Sequence, residues 1–263
     1  PVDDVEQAPQ CAMLFVIAEN EELFNNEDHA IKAHARAKGP KKLVTIPGIT
    51  HYGIYLAKRA EAERLAIEWF DAVLERGSTD HYPLALMGKA RILAASGDPS
   101  TFNDAIDAFD KVIRDLKDKP EYVEEAMLAK GRLYFNRQKW KEAAQVFFEM
   151  QSNPAFTRNR PEVFAKLARS YEEQGKLKEA LEAYTPFVAP PFENYVEFSA
   201  EARVRAAEIV LKQGDKAKAF RLIKDTVSRM YKLANHPVAG PHTEKATRMY
   251  NALTNEPTAP AEA

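Results

Sequence analysis

The chain has 263 residues, of which 45% are hydrophobic, and this is enough to bury an ordinary core. Its 37 basic and 39 acidic residues leave a net charge of -2, so no overall field favours nucleic acid or an anionic membrane surface. The single cysteine, Cys11, excludes an internal disulfide and a multi-cysteine zinc site, and no apolar run approaches the ~20 residues that cross a bilayer. We expect no cofactor, no metal, no nucleic-acid partner and no membrane insertion.

One cysteine and the lack of an apolar leader favour a cytoplasmic location, and Pro1 at the start indicates a processed or excised piece.

The first part of the sequence predicts the order strand, helix, strand, helix. Residues 11–19 (CAMLFVIAE) are a continuous apolar run typical of a strand covered on both faces, and residues 43–46 (LVTI) are a second. A short helix between them ends at Gly39-Pro40, and a helix over about residues 55–76 has apolar residues at three- and four-residue spacing. This order predicts two parallel strands joined by a right-handed crossover.

Residues 11–76 resemble the C-terminal end of an α/β-hydrolase of the dienelactone-hydrolase and esterase type. The sequence AENEE follows the first strand, PGITHYGIY follows the second, and IEWFDAVL lies in the closing helix. The resemblance implies that Glu21 is the acid of a catalytic triad and His51 its base, with Glu19 and Glu22 as alternatives to Glu21. Such a carboxylate holds one ring nitrogen of the histidine and stabilises the imidazolium.

The nucleophile of such a triad is missing from the sequence. No two of the ten glycines are four residues apart, so no Gly-x-Ser-x-Gly elbow exists, and only ten residues precede the first strand. We therefore expect the segment to be inactive alone, as a remnant kept for packing, or to be one part of a larger polypeptide or assembly that supplies the serine. A third interpretation is that the two halves of the chain were joined without a shared function.

A two-strand segment also needs cover. Two strands rarely hold together in water by themselves. The segment is therefore expected to pack against the second domain, to pair with another chain, or to be partly disordered.

Turn-forming residues at 76–83 (RGSTDHYP) interrupt the helical patterns on both sides. They divide the sequence into a hydrolase-like segment at 1–76, a linker at 77–83 and a second domain at 84–254. The polar, proline-bearing end at 255–263 is expected to be a disordered tail.

The second domain repeats itself. The stretches FNDAIDAF, WKEAAQVF, LKEALEAY and AKAFRLI share one phase, and their alanines are 38, 37 and 39 residues apart. A second helix with a small residue precedes each stretch, and turns rich in Gly, Asn and Asp separate the two. The small positions are Ala90, Ala105, Gly131, Ala143, Ala168, Ala180, Ala207 and Ala219.

This pattern resembles the tetratricopeptide repeat, a helix-turn-helix unit of about 34 residues. The middle two copies fit best, with Gly131 and Tyr134 in one and Ala168 and Tyr171 in the next. The predicted fold class is mostly α: an α-α superhelix of about four tetratricopeptide-like helix pairs, preceded by a small α/β segment of two parallel strands and two helices.

One arginine follows the small position of each of the first three repeats, namely Arg91, Arg132 and Arg169, while Glu208 interrupts the row. The resemblance implies a concave groove lined by these helices, which binds a protein or peptide partner. Three guanidinium groups in a row favour an acidic peptide or a C-terminal carboxylate. The alternative is that each arginine pairs with a carboxylate of a neighbouring repeat or is simply solvated.

Overall fold

The computed structural model describes residue 5 and residues 13–77, 81–96, 98–189 and 191–255. Within these residues the secondary structure confirms the predicted mostly α class, with a two-strand segment followed by paired helices. The elements are β1 (Met13–Ala18), α1 (Lys32–Arg36), β2 (Lys41–Ile46), α2 (Arg59–Glu75), α3 (Tyr82–Ala95), α4 (Phe102–Asp115), α5 (Pro120–Asn136), α6 (Trp140–Ser152), α7 (Arg160–Glu173), α8 (Leu177–Val188), α9 (Val196–Lys212), α10 (Lys216–Met230) and α11 (Gly240–Asn255).

β1 and β2 form a parallel two-stranded sheet, as predicted. The register runs from Met13 opposite Lys41 to Ala18 opposite Ile46, and Ala18 and Ile46 are fully buried. Because the strands are parallel, both carboxyl ends lie at the same edge, and the loops that follow them meet there. The Asn20 amide donates to the Ile49 carbonyl oxygen at 3.0 Å, which fixes the two loops together.

Helix α2 covers the sheet and joins it to the first helix pair. Trp69 and Val73 of α2 are buried against Ala85 of α3, with Leu14 of β1 packed beside them. The Phe70 ring lies against Gly88 of α3 so closely that a Cβ there would be 2.5 Å from Cζ. The cluster with Ala85 fits one of the three outcomes expected for the two-strand segment, packing against the second domain, and the other two stay predictions.

The paired helices place every predicted small residue in the interior. Each of the eight is buried, and the alanines are completely inaccessible to solvent. A side chain of one carbon lets two helix backbones approach, and larger residues such as Phe109, Phe147 and Tyr184 fill the space beside the contact. The recurring small residues in the sequence therefore mark the positions at which the helices pack against each other.

The turns inside the last three pairs share one geometry. Gly175 and Gly214 have φ of 73° and 88°, and Gln138 occupies the equivalent position with φ of 56°. In each turn the next amide bonds back to the helix before it, as Lys139 does to the Tyr134 carbonyl at 2.9 Å. Glycine reaches this left-handed region without strain, whereas glutamine does not.

Several element bounds differ from the prediction. Tyr82 and Pro83, placed in the linker, already belong to α3, and the rest of that turn at 78–80 lies outside the described residues. Helix α11 was not predicted; it begins at Gly240 and ends at Asn255, and the tail at 256–263 lies outside the described residues. Backbone contacts divide the chain into two compact units, Pro1–Leu133 and Tyr134–Ala263. The domain division at 77–83 stays a prediction.

Candidate functional site

Glu21 and His51, paired in the sequence only by resemblance, are in contact. The Nδ1 atom of His51 lies 2.8 Å from Oε2 of Glu21, and the two residues follow the carboxyl ends of β1 and β2. The Glu21 side chain is 8% exposed and the His51 side chain 25% exposed. The sheet edge therefore holds an oriented carboxylate-imidazole pair.

The surroundings of Glu21 favour its charged form. Burial alone raises the pKa of the Glu21 carboxyl, but hydrogen bonds from the Leu23 amide and the His51 ring, with the charge of His51, outweigh burial and lower it. The Leu23 amide donates to Oε1 at 3.0 Å, so the two carboxylate oxygens have different partners. Of the alternatives, Glu19 instead accepts from the Gly48 amide at 2.8 Å, and Glu22 is exposed.

Aromatic rings surround the imidazole of His51. The rings of Phe24, Tyr52 and Tyr55 have centroids 5.8, 5.6 and 5.7 Å from it, and all three side chains are more than half exposed. Within the described residues, the second ring nitrogen, Nε2, has no hydrogen-bond partner. The pair is thus oriented as a base would be, and no serine hydroxyl stands at its free nitrogen in the described part of the chain.

The three predicted arginines have different surroundings. Arg91 pairs with Glu125 of α5, which is the neighbouring-repeat pairing considered from the sequence. Arg169 pairs with Glu173 one turn along its own helix, at 2.5 Å. Arg132 is exposed on α5. Their role in binding a partner stays a prediction.

A cleft of about 320 Å³ lies in the second unit and is bordered by the first helices of the last two pairs. Arg169 and Lys166 of α7 stand on one side, with Arg205 of α9 opposite, and Glu201 is the one acidic side chain in the lining. The Nη1 atom of Arg169 is buried and has no hydrogen-bond partner in the described structure. The aromatic part of the lining consists of Phe135, Trp140, Tyr184 and Phe198.

The cations of this cleft are held in place by neighbouring groups. Nζ of Lys166 lies 4.3 Å from the centre of the Phe135 ring. Arg205 donates to Glu201 at 2.6 Å and to Glu172 at 3.3 Å. Fixed cations bind an anion with less loss of side-chain entropy than mobile ones.

The carboxyl group of Glu172 lies behind the cleft in a partly buried site. Burial raises the pKa of Glu172 above its usual range, although Tyr184 donates a hydrogen bond to it at 3.0 Å. Burial and the neighbouring Glu172 charge raise the pKa of the Tyr184 hydroxyl as well. The Tyr184 hydroxyl is therefore a neutral donor that orients Glu172 towards Arg205.

Lys166 and Arg205 were not found from the sequence, although a signal exists. Each lies two residues before the small position of its repeat, Ala168 or Ala207, and one helical turn separates Lys166 from Arg169. The predicted arginine row occupies the position that follows the small residue, whereas Lys166 and Arg205 occupy the position two residues before it. Both positions face the same cleft.

Other site classes find no support in the described part of the chain. No group of three or more His, Cys, Asp or Glu side chains is arranged there to hold a metal ion. His81, which precedes α3 directly, is 8% exposed. Among the described helices, none combines the length and apolar character needed to cross a membrane.

Comparison with known proteins supports the repeat part of the chain. A family model described as a tetratricopeptide repeat matches residues 165–229, which cover most of α7 to α10. No curated protein sequence matches the chain. The chain is also similar to a crystal structure of a de novo designed helical repeat protein, at 19% identity over 75% of this chain and 93% of that chain, with a TM-score of 0.19.

The fold class rests on the helix pairing described above and not on that structural similarity. The comparisons do not support the resemblance of residues 11–76 to an α/β-hydrolase.

Proposed function

We propose that this chain is a protein-interaction scaffold that binds an acidic peptide or protein segment along the first helices of its repeats. The observation that carries the proposal is the cleft between α7 and α9, where three cationic side chains and four aromatic rings surround one space. The cleft lies within the segment that matches the tetratricopeptide-repeat model, apart from Phe135 and Trp140. Proteins built from such repeats use this helix face to hold partners.

The chemistry of the cleft favours a carboxylate-bearing ligand with an aromatic or aliphatic side chain. The unpartnered Nη1 of Arg169 donates a hydrogen bond to an incoming carboxylate, which satisfies a donor that already lies out of water. The rings of Trp140 and Phe198 offer an apolar surface beside it. Arg91 and Arg132, which lie in the first unit, are proposed as further partner-binding residues.

The test is the binding of a fluorescent peptide, rich in glutamate with one central phenylalanine, to the full chain. We expect Arg169→Glu to weaken binding at least about tenfold, because it removes a cation from the cleft and adds a repelling charge. Arg132→Glu is expected to weaken binding less. The matched control is Arg221→Glu, which makes the same charge change at an exposed site on α10 outside the cleft.

Equal affinities for the wild type, Arg169→Glu and Arg221→Glu would refute the proposed cleft. The variant His51→Ala is expected to bind the peptide as the wild type does. A loss of binding in that variant would indicate that the peptide binds at the sheet edge beside His51 and not in the cleft.

The contact between Glu21 and His51 favours a second candidate, an ester or lactone hydrolase whose serine comes from outside the described residues. A carboxylate at 2.8 Å from Nδ1 holds the ring and leaves Nε2 as the nitrogen that acts as a general base. The discriminating experiment is ester cleavage by the chain alone, with a serine-directed phosphonate probe. We expect neither turnover nor labelling, and labelling that disappears in His51→Ala would establish the hydrolase.

A further inference from the structure

A second groove lies in the first unit, on helices that the proposed peptide site does not use. It has a volume of about 720 Å³ and is bordered by α2, α3 and α4. Helix α3 lies between the other two. The half-buried side chains of Ile67, Leu74 and Tyr82 provide the accessible apolar surface of the floor, above the buried Leu86 and Leu93. This groove is called the acidic groove below because of the charges on its walls.

The two walls of the acidic groove carry the same charge. Asp71 and Glu75 stand on α2, and Asp104 and Asp107 stand on α4. Two lysines also line the groove: Lys89 is already bonded to Asp71 at 2.6 Å, and Lys111 stands on α4, so each wall keeps a net negative charge of one. In the described structure Glu75, Asp104 and Asp107 are exposed and have no ion-pair partner. Carboxylates that face one another across an apolar floor repel each other until a cation lies between them.

The length of the acidic groove suits a short helix. The floor runs along α3 from Tyr82 to Leu93, which corresponds to roughly 16 Å at 1.5 Å per residue, or about three helical turns. A helix docked there contacts the groove through residues at three- and four-residue spacing. The flanking positions of that helix then lie next to the two acidic walls.

We propose that the acidic groove docks an amphipathic helix of a partner protein, with lysine or arginine on both sides of its apolar face. The apolar floor provides the contact area and the walls select the charge of the partner. This surface is separate from the cleft between α7 and α9, where the cations belong to the scaffold. The chain therefore carries two binding surfaces of opposite charge preference, one in each unit.

The test uses a labelled synthetic helix of about 14 residues with leucine on one face and lysine on its flanks. We expect it to bind the full chain, and to bind several-fold more weakly as the salt concentration rises from about 50 to about 300 mM. The same peptide with glutamate in place of lysine is expected not to bind. A photoreactive residue on its leucine face is expected to crosslink to α2, α3 or α4.

The deciding variant is Glu75→Lys combined with Asp107→Lys, which reverses one exposed charge on each wall. Its matched control is Asp118→Lys with Glu182→Lys, two exposed positions outside the groove. We expect a loss of about tenfold or more in affinity for the first pair and less than about twofold for the second.

Equal losses in the two double variants, or crosslinks to α7 or α9, would overturn the proposal. Self-association of the chain that disappears in Glu75→Lys with Asp107→Lys would also overturn it, because the occupant would then be a second copy. Failure of the Arg169→Glu test leaves these outcomes unchanged, since that residue lies in the other unit.

Discussion

Arg203 on α9 is the most consequential buried charge in the described structure. Its side chain is 1% exposed and donates from all three nitrogens: to Ser199 Oγ at 3.2 Å, to Asp225 at 2.5 Å and to the Val188 carbonyl at 2.9 Å. Ser199 in turn donates to the Phe187 carbonyl at 3.1 Å. One guanidinium thus ties together α8, α9 and α10.

The substitution Arg203→Ala is expected to cost about 3 kcal/mol of unfolding free energy. Breaking a buried ion pair costs roughly 3 to 5 kcal/mol when the remaining charge stays buried. The remaining carboxylate of Asp225 is 39% exposed, so water rehydrates it and the cost lies at the lower end of that range. The Val188 carbonyl loses its side-chain donor, and the vacated volume adds a cavity cost.

Urea unfolding of the full chain by circular dichroism measures this cost, and hydrogen exchange of α9 and α10 amides localises it. The matched control is Arg229→Ala, because Arg229 donates to the same Asp225 at 2.8 Å but its side chain is 57% exposed. We expect the control to cost less than about 1 kcal/mol. Equal costs for the two variants, or a cost below about 1 kcal/mol for Arg203→Ala, would refute the reasoning from burial.

Three further predictions concern local conformation, packing and pH. Gln138→Gly is expected to raise the urea midpoint, with a gain of about 0.5 to 1 kcal/mol, because it relieves a left-handed backbone at φ of 56°. Gly88→Ala is expected to lower the melting temperature at a cost of about 1 to 2 kcal/mol, since its Cβ would press on the Phe70 ring, and Phe70→Ala in the same chain should remove most of that cost. Glu21 has a pKa below its usual 4.5 in the fold, so its carboxylate stabilises the fold above pH 4.5 and loses this effect as the pH falls through the lowered value. Urea unfolding of Glu21→Gln should therefore differ from the wild type at pH 7 and converge with it in acid, and the same difference at both would contradict the Glu21-His51 contact.

The features predicted well from the sequence are those fixed by packing. The small residues at Ala105, Ala143, Ala180 and Ala219 recur because two helices must approach at those points, and all four are completely buried. The two strands were predicted for a similar reason, since an apolar run of that length suits a covered strand. The pairing of Glu21 with His51 was expected only from the resemblance, and in the structure the parallel strands bring their carboxyl ends, and with them these two side chains, to one edge.

The features that the sequence did not reveal depend on contacts between two structural elements and not on the residue pattern within one element. From the sequence alone, Arg203 resembles an exposed surface cation. In the structure it is buried, and the small buried residues Ala200, Ala202 and Ala206 beside it leave room for its long side chain. Helix α11 begins with Gly240-Pro241, which indicates a loop until Pro241 is placed at the first helical turn, where its missing amide is not needed. A hydrophobic period alone does not identify either feature.

In α7 the residue that packs between helices lies next to the residues proposed to bind a partner. Ala168 is completely buried, whereas Arg169 next to it reaches a cleft, and Lys166 two residues before it reaches the same cleft. Because the buried position fixes the distance between helices, the neighbouring positions change charge without changing the fold. Under the proposed function, charges at these neighbouring positions set the choice of partner, and variants that reverse those charges test the proposal more directly than variants that disturb the helix contacts.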